Sequence, residues 1–441
     1  MSYAPYPAYK DSGVPWLGQV PTGWEVKRLS YATRFKGGST PSKNEDQFWI
    51  DGTIPWVSPK DMKRKEIYDT KDHLTELGAM QSASGLIAPG HVMMVVRSGI
   101  LRHSIPAAIN RVAVTVNQDM RVFLPFRELK SEFIYWVIEG LQKTLVDLWS
   151  KSGTTVESLE TEYVNSSPFP IPPLEEQSAI TRFLDEKTVE IDDLISKKEE
   201  LLRLLAEQRT ALITHAVTQG LDPSAPMKPS GVVWFDRVPS HWQVRRLKDV
   251  GRLVGGAGFP HDFQNVQGEE LYFYKVGDLA KSDDGIHLTT APHTIDRETA
   301  AKLRATVIPP DAILYAKIGA ALLLNRRRIS TADCCIDNNM TAWIVDPSKV
   351  LPLWGFYWMS TVDFGEHTNP GAVPSLSEGY QSILPITLPP IEEQKQIIDR
   401  LVSDTYKLDS VAKKTSEAVE RLKEYRTALI TNAVTGKIKV A

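Results

Sequence analysis

At 441 residues, 42% of them hydrophobic and 24% charged, the chain is long enough for two or three domains with proper cores, and its composition is that of a globular protein. The adjacent Cys334 and Cys335 suit neither a disulfide framework nor a zinc site, and the nine histidines lack metal-ligand spacing. No apolar run is long enough to span a bilayer and the opening residues carry no secretory signal, so the expected compartment is the cytoplasm, with no membrane partner. The net charge of −3 hides no basic block, so any nucleic-acid surface must be a local patch or be completed by a partner chain.

In chain order, residues 1–168 read as a globular domain. Short β-branched and aromatic runs at 92–96 and 112–116 are punctuated by Gly, Pro, Asn and Asp, and one amphipathic helix is expected at 132–148. Pro172-Pro173 stop the preceding strand, and Glu175-Glu176 fill the first turn of a helix, where the macrodipole favours anions. That helix runs from 175 to 217. Positions 184, 187, 191, 194, 198, 201, 205, 208, 212 and 215 form a 3.5-residue stripe, mostly apolar with polar breaks, and Gly220 followed by Pro223 ends it. A second globular stretch, with apolar runs at 313–316 and 341–345 and a helix at 353–362, leads to Pro389-Pro390. Another long helix follows, with its stripe at 401, 404, 408, 411, 415, 418, 422, 425, 429 and 432 and its end at Gly436. Each long helix should span about 42 residues, roughly 63 Å, and so long a helix with one apolar stripe needs a partner.

The two halves are copies. Pro172-Pro-Leu-Glu-Glu-Gln177 recurs as Pro389-Pro-Ile-Glu-Glu-Gln394, and Arg209-Thr-Ala-Leu-Ile-Thr recurs as Arg426-Thr-Ala-Leu-Ile-Thr, both at an offset of 217. Trp16, Pro21, Trp24, Val26, Arg28 and Leu29 match Trp234, Pro239, Trp242, Val244, Arg246 and Leu247 at 218. Weaker matches lie between, including Gly37-Gly38 with Gly255-Gly256, Asp61 with Asp278 and Arg97 with Lys317. The architecture expected is α/β (α+β): two globular domains with mostly antiparallel sheets, joined by two long antiparallel coiled-coil helices in a pseudo-two-fold duplication. Its segments are 1–168, a helix at 169–221, a second domain at 222–386, and a second helix with tail at 387–441. The tail after Gly436 should dock beside the first domain. Lys187, Lys198 and Asp404 are expected as register-setting polar contacts of the helices.

With these residues in view, the chain resembles the specificity subunits of Type I restriction-modification systems over essentially its whole length. The resemblance rests on Tyr9-Lys-Asp-Ser-Gly-Val-Pro-Trp-Leu-Gly18, Val20-Pro-Thr-Gly-Trp24, both Pro-Pro-Leu/Ile-Glu-Glu-Gln copies, both Arg-Thr-Ala-Leu-Ile-Thr copies with Ala-Val-Thr, and Val434-Thr-Gly-Lys-Ile438. It implies two target-recognition domains, each reading one half of a split, asymmetric double-stranded DNA site. It implies partners as well: two modification subunits, adenine-N6 methyltransferases using S-adenosylmethionine, and restriction subunits that use ATP and Mg. No methyltransferase tetrapeptide and no Walker A motif occurs in the chain, so it is expected to be non-catalytic, without a cofactor or metal of its own. A scaffold presenting two protein- or glycan-binding domains is the competing reading, and the near-neutral charge suits it.

The residues expected at DNA are cations and small polar residues on loops. In the first domain they are Lys36, Gly38, Ser39 and Thr40 of a glycine loop, Lys60, Lys63, Arg64 and Lys65 of the densest basic cluster, and Arg97, Ser98 and Arg102 after a core strand. In the second domain they are Lys275, Lys317, Arg326, Arg327 and Arg328. Arginine reads guanine and phosphate bidentately, and three in succession cannot all pair on one face. Against each stands a plain alternative: a solvated loop for the cations, turn chemistry for the glycines, and turn capping for Asn117-Gln118 and Asn338-Asn339. Trp16, Trp24, Trp234 and Trp242 read as packing residues, and Glu175-Glu176 and Glu392-Glu393 as either caps or contacts for partner subunits.

Overall fold

The computed structural model describes residues 3–150, 157–368 and 373–440. They gather into two compact units, Met1–Glu199 with Ser416–Ala441, and Glu200–Thr415. In the first, a five-stranded sheet runs in the order Thr33–Gly37, Met120–Pro125, Val92–Val95, Ala107–Asn110, Glu66–Ile67, antiparallel except for the last pair. A three-stranded sheet sets Ile54–Val57 between Thr115–Val116, parallel, and Asp72–Leu74, antiparallel.

The second unit repeats this topology pair by pair. Its sheets run Gly251–Gly255, Met340–Val345, Ile313–Ala316, Arg327–Ser330, His287–Leu288, and Thr294–Ile295, Leu271–Tyr274, Cys334–Ile336, with parallel pairs at the corresponding places. Val92–Val95 and Ile313–Ala316 are buried throughout, which is why they stand out in the sequence as unbroken apolar runs. Trp24 and Trp242 lie fully buried, edge-on to Phe133 and Trp354; each such aromatic contributes about 2–3 kcal/mol by burial.

The helix expected at 132–148 is two, Ser131–Gly140 and Gln142–Trp149. The break has a packing cause. A side chain at Gly140 would meet Ile430 and Val434 of the second long helix at 2.9 and 3.0 Å, and the Thr431 hydroxyl donates to the Gly140 carbonyl. The run expected as a strand at 112–116 pairs only at Thr115–Val116, with Val114 bridged to Ile87.

The long helices span Leu174–Gln219 and Ile391–Val434, 46 and 44 residues, about 69 and 66 Å at 1.5 Å per residue. Gly220 and Gly436, at φ 77° and 72°, end them in the left-handed conformation glycine tolerates. Within each unit, segments of the two helices run antiparallel. In the first, Arg426 donates to Asp192 at 2.8 Å and Lys423 meets Glu199. In the second, Arg209 donates to Asp409 at 3.0 Å and Gly220 lies by Glu393.

The buried stripe corrects the sequence reading in one respect. Leu184, Ile191, Leu205, Leu401, Thr415 and Leu429 face inward as expected. The other half of each stripe sits one residue later, at Thr188, Ile195, Leu202, Arg209 and Ala216 and at Thr405, Ala412, Val419, Arg426 and Ala433, leaving Leu194, Leu201, Val411 and Tyr425 exposed. The polar contacts shift with it. Lys187 pairs with Glu190 and Asp404 with Arg400 and Lys407, each along its own helix, while Arg426–Asp192, Lys423–Glu199 and Arg209–Asp409 cross between helices.

The duplicated Glu-Gln of the helix starts fastens each helix to its globular part. Glu176 Oε1 accepts from Trp24 Nε1 and Glu393 Oε1 from Trp242 Nε1, both at 3.0 Å. Gln177, fully buried, accepts from Lys130 N and donates to the Glu128 and Pro172 carbonyls. Gln394 repeats all three bonds with Leu351 N and the Lys349 and Pro389 carbonyls. The tail docks as expected: Lys439 N donates to the Ala4 carbonyl at 2.8 Å, and Lys437 Nζ to those of Leu17 and Gln19.

Candidate nucleic-acid interface

In each unit the positions of interest lie on loops that leave the two sheets. The first loop leaves strand Thr33–Gly37, with Lys36 on the strand and Gly38 just past it. A Cβ on Gly38 would stand 1.7 Å from the Val116 carbonyl oxygen, and one on Gly256 1.9 Å from that of Asp337. Gly38 and Gly256 are glycines because backbone crosses backbone there, so packing accounts for Gly38 without any contact to DNA. Ser39 is committed in part, its hydroxyl accepting from Ala83 N at 2.8 Å. Thr40 reaches Gln118 by a side-chain hydrogen bond.

Thr40, Lys43, Trp56, Lys60, Asn117 and Gln118 line a cleft of about 440 Å³, so two segments far apart in sequence converge there. Asn117 caps its own turn, accepting from Asp119 N at 3.0 Å. Asp337 holds the corresponding place in the second unit, accepting from Asn339 N and Val276 N, and burial pushes its carboxyl up against those stabilising bonds. Asp61 and Asp278 also match, each capping its turn through the amides of Ser58 and Lys275.

The basic cluster divides. Lys60 is paired with Asp72 at 2.5 Å. Lys63 and Arg64 make no ion pair among the described residues and line a second cleft of about 430 Å³. Lys65 turns inward: it bonds Asp185 of the first long helix, its ammonium lies 4.8 Å over Trp136, and Trp136 Nε1 donates to the same carboxylate. It anchors helix to sheet and is withdrawn as a DNA contact. Arg97 is exposed and makes no ion pair among the described residues, Ser98 accepts from Ile100 N as the cap of the next turn, and Arg102 is paired with Glu157 at 2.9 Å.

The arginine triplet of the second unit does not act as one surface. Arg326 is exposed and makes no ion pair among the described residues. Arg327 is buried: it lies 4.1 Å over the Phe364 ring and donates to the Asn325 and Val362 carbonyls, and burial pulls its guanidinium down to about 10. It cannot read DNA where it sits. Arg328 is half-buried and turned onto the Arg327 carbonyl, its guanidinium lowered by burial. Lys275 donates to Gln264, and Lys317, partly exposed, follows directly after the strand Ile313–Ala316.

Sequence reasoning passed over one basic surface. In the second unit a cleft of about 710 Å³ beside Pro389-Pro390 is lined by His241, Arg245, Arg246, Asp249 and Lys349. The signal was there: Arg245-Arg246 repeats the basic pair Lys27-Arg28 at the 218 offset.

Two units of one sheet topology, each with divergent loops carrying cations that make no ion pair among the described residues and each fastened to a long helix by the same Glu-Gln pair, define an internally duplicated α/β protein. Its family is identifiable. Residues 21–203 and 239–421, most of the chain, match the Type I restriction modification DNA specificity domain, and the chain belongs to that family. The Escherichia coli Type I restriction enzyme EcoR124I/EcoR124II specificity subunit is 34% identical over 178 residues, 40% of this chain and 42% of that one. The Methanocaldococcus jannaschii MjaIX specificity subunit is 26% identical over 60% of each chain, and the putative MjaX specificity subunit of the same organism 23% identical over 96% of each. Among solved structures, the HsdS subunit from Thermoanaerobacter tengcongensis superposes with a TM-score of 0.54 at 18% identity, covering 95% of this chain and 98% of that one. A chain from work on complex assembly and conformational transition of the type I R-M system reaches 0.73, also at 18% identity, covering 95% and 99%. No helix among the described residues is long and apolar enough to cross a membrane.

Proposed function

We propose that this chain is the sequence-reading subunit of a Type I restriction-modification complex and carries out no chemistry itself. Each globular segment, 1–168 and 222–386, reads one half of an asymmetric bipartite site in double-stranded DNA, and the helical segments 169–221 and 387–441 are the spacer. The observation that carries this is the duplication itself: sheet order and strand direction are kept while the loops diverge, as two readers of two different half-sites require. The cations that make no ion pair among the described residues, Lys36 at a strand end and Lys63, Arg64, Arg97, Lys317 and Arg326 on loops, are the DNA contacts. Lys60, Ser39, Thr40, Ser98, Arg102, Lys275 and Arg328 are held by internal bonds and contribute as secondary contacts. The complex works in the cytoplasm, where its substrate lies.

Two modification subunits dock on the helices, and restriction subunits join them. S-adenosylmethionine, ATP and Mg belong to those partners. Exposed apolar residues at equivalent helix positions support a repeated docking surface: Val189 with Tyr406, and Leu194 with Val411. The test is methylome sequencing of cells expressing this chain with a modification subunit. Adenine methylation at one bipartite motif is expected, with none from the purified chain alone. Replacing residues 10–168 by another member's first domain should change one half-site only. Methyl transfer by the isolated chain, or a swap that alters both half-sites, refutes the reading.

A further inference from the structure

In the second unit the turn that follows strand Ile313–Ala316 carries three consecutive leucines, Leu322–Leu324, in a single 3-10 turn. Leu322 is buried, 1% exposed, and roots the turn in the core, whereas Leu323 and Leu324 are 48% and 57% exposed. Neighbouring large apolar side chains held in water are costly, and here they are also held still. Asn325 closes the turn in the left-handed conformation, φ 53°, with its side chain between Asp363, to which it donates at 2.7 Å, and Phe364 N, from which it accepts at 2.9 Å. From beneath, buried Arg327 donates to the Asn325 carbonyl and covers the Phe364 ring, its Nε without a hydrogen-bond partner among the described residues. On the other flank Gly319, φ 85°, donates to the Pro374 carbonyl, and Leu376 N to that of Lys317. A triplet expected to touch DNA through its charges thus spends its middle member fixing the turn before it.

Lys317 and the unpaired Arg326 flank the leucines. The first unit repeats the pattern in different residues. After strand Val92–Val95 come exposed Arg97, the Ser98-capped turn Gly99–Arg102 with Leu101 buried and Ile100 44% exposed, and then Arg102. A rigid apolar tip between cations matches a ligand with anionic edges and an apolar interior, which is the make-up of stacked base pairs between phosphates. A partner subunit common to both ends would instead meet what the two copies share. These turns, Gly99-Ile-Leu-Arg102 and Ala320-Ala-Leu-Leu-Leu-Asn325, differ.

We infer that the turn 319–326 is a preformed wedge that enters a base step of the second half-site with Leu323 and Leu324, while Lys317 and Arg326 hold the flanking phosphates, and that Ile100 does the same in the first unit. The inference rests on the DNA-reading function proposed above and adds that recognition includes unstacking by apolar side chains, independent of any hydrogen bond to a base.

The test uses the full chain with its modification subunit and a duplex bearing the methylome-defined motif, with 2-aminopurine placed singly along the second half-site and end labels reporting bend by energy transfer. Wild type should brighten 2-aminopurine at one step and bend the duplex. Leu323→Ala with Leu324→Ala should abolish the brightening, reduce the bend and weaken specific binding about tenfold, with the salt dependence unchanged. Leu324→Met should retain the signal. Arg326→Ala should keep the brightening and reduce the salt slope by about one. Melting of the leucine variant at the wild-type temperature shows that the fold is intact. Unchanged brightening and affinity in that variant overturn the wedge. So does loss of modification-subunit binding with duplex contacts kept, which would make the leucines a protein-docking patch. Failure of the wild-type complex to bind the duplex would instead remove the functional reading beneath it.

Discussion

Pro172–Gln177 recurs at Pro389–Gln394 and Arg209–Thr218 at Arg426–Thr435, both at an offset of 217, so the long helices align from end to end without a gap, whereas between Trp24 and Pro172 the match to the second copy is thin and the offset drifts. Yet the sheets built from those drifting stretches agree strand for strand. The helices answer to their own copy, because a change on either stripe is felt by the facing segment. The sheets answer only to burial, which any β-branched or aromatic residue of suitable size satisfies. What the globular halves kept residue by residue is small and physical: glycines where backbone crosses backbone, turn-capping Asp61 and Asp278, and the tryptophans that meet the helix starts.

The hardest test of that contrast is Gly38→Ala and, in the other copy, Gly256→Ala. Carbonyl oxygens 1.7 and 1.9 Å from the new Cβ leave no room, so the strands must part, at a cost of about 3 kcal/mol or more. Calorimetry should show each variant destabilising its own unit while the other melts unchanged. Equal loss in both units would show that they do not unfold independently.

A smaller effect is expected where helix meets sheet. Gln177→Ala and Gln394→Ala each leave one amide and two carbonyls without their buried partner, about 2 kcal/mol apiece. Denaturant unfolding of the two variants should give closely similar losses, because the bonding is the same in both copies. A loss confined to one copy would mean that the shared motif serves a partner and not the fold.

How far these features were legible in the sequence follows from where each signal resides. Helix ends, duplication and tail docking could be read because Pro-Pro, Gly220, Gly436 and the repeated Glu-Gln act within a few residues of themselves. The stripe was half legible. Positions such as Leu184 and Leu205 are apolar and inward, but Leu194 and Leu201 are apolar and outward, and hydrophobicity alone could not tell them from Ile195 and Leu202. At the candidate interface, cation density located the loops and failed on individual residues. Whether Lys65 meets Asp185, or Arg327 stacks on Phe364, depends on elements far away in sequence.

That ambiguity can be tested directly. Ile195 packs against the core of the first unit while Leu194 is 42% exposed. Ile195→Ala should therefore cost about 1–2 kcal/mol, and Leu194→Ala less than about 0.5 kcal/mol. If Leu194→Ala leaves stability alone but weakens capture of the modification subunit, the exposed residue belongs to docking. Equal destabilisation would return the stripe to the register first read from the sequence.

The smallest expected effect tests the symmetry of the helices most narrowly. Arg426–Asp192 and Arg209–Asp409 occupy equivalent positions at 2.8 and 3.0 Å, and in both pairs the aspartate is about half exposed. Solvent screens such pairs, and immobilising two side chains offsets much of the attraction, so a double-mutant cycle to Ala should give about 0.5 kcal/mol for each and less at high salt. The value lies in the comparison of cycles. If the pairs do no more than set the register of two segments, their coupling energies should agree within error and fall together as salt rises, and exchanging Arg426 and Asp192 should restore most of the loss. Should one pair show several times the coupling of the other, the helices would be equivalent in sequence but not in load, and the symmetry would stop at their backbone.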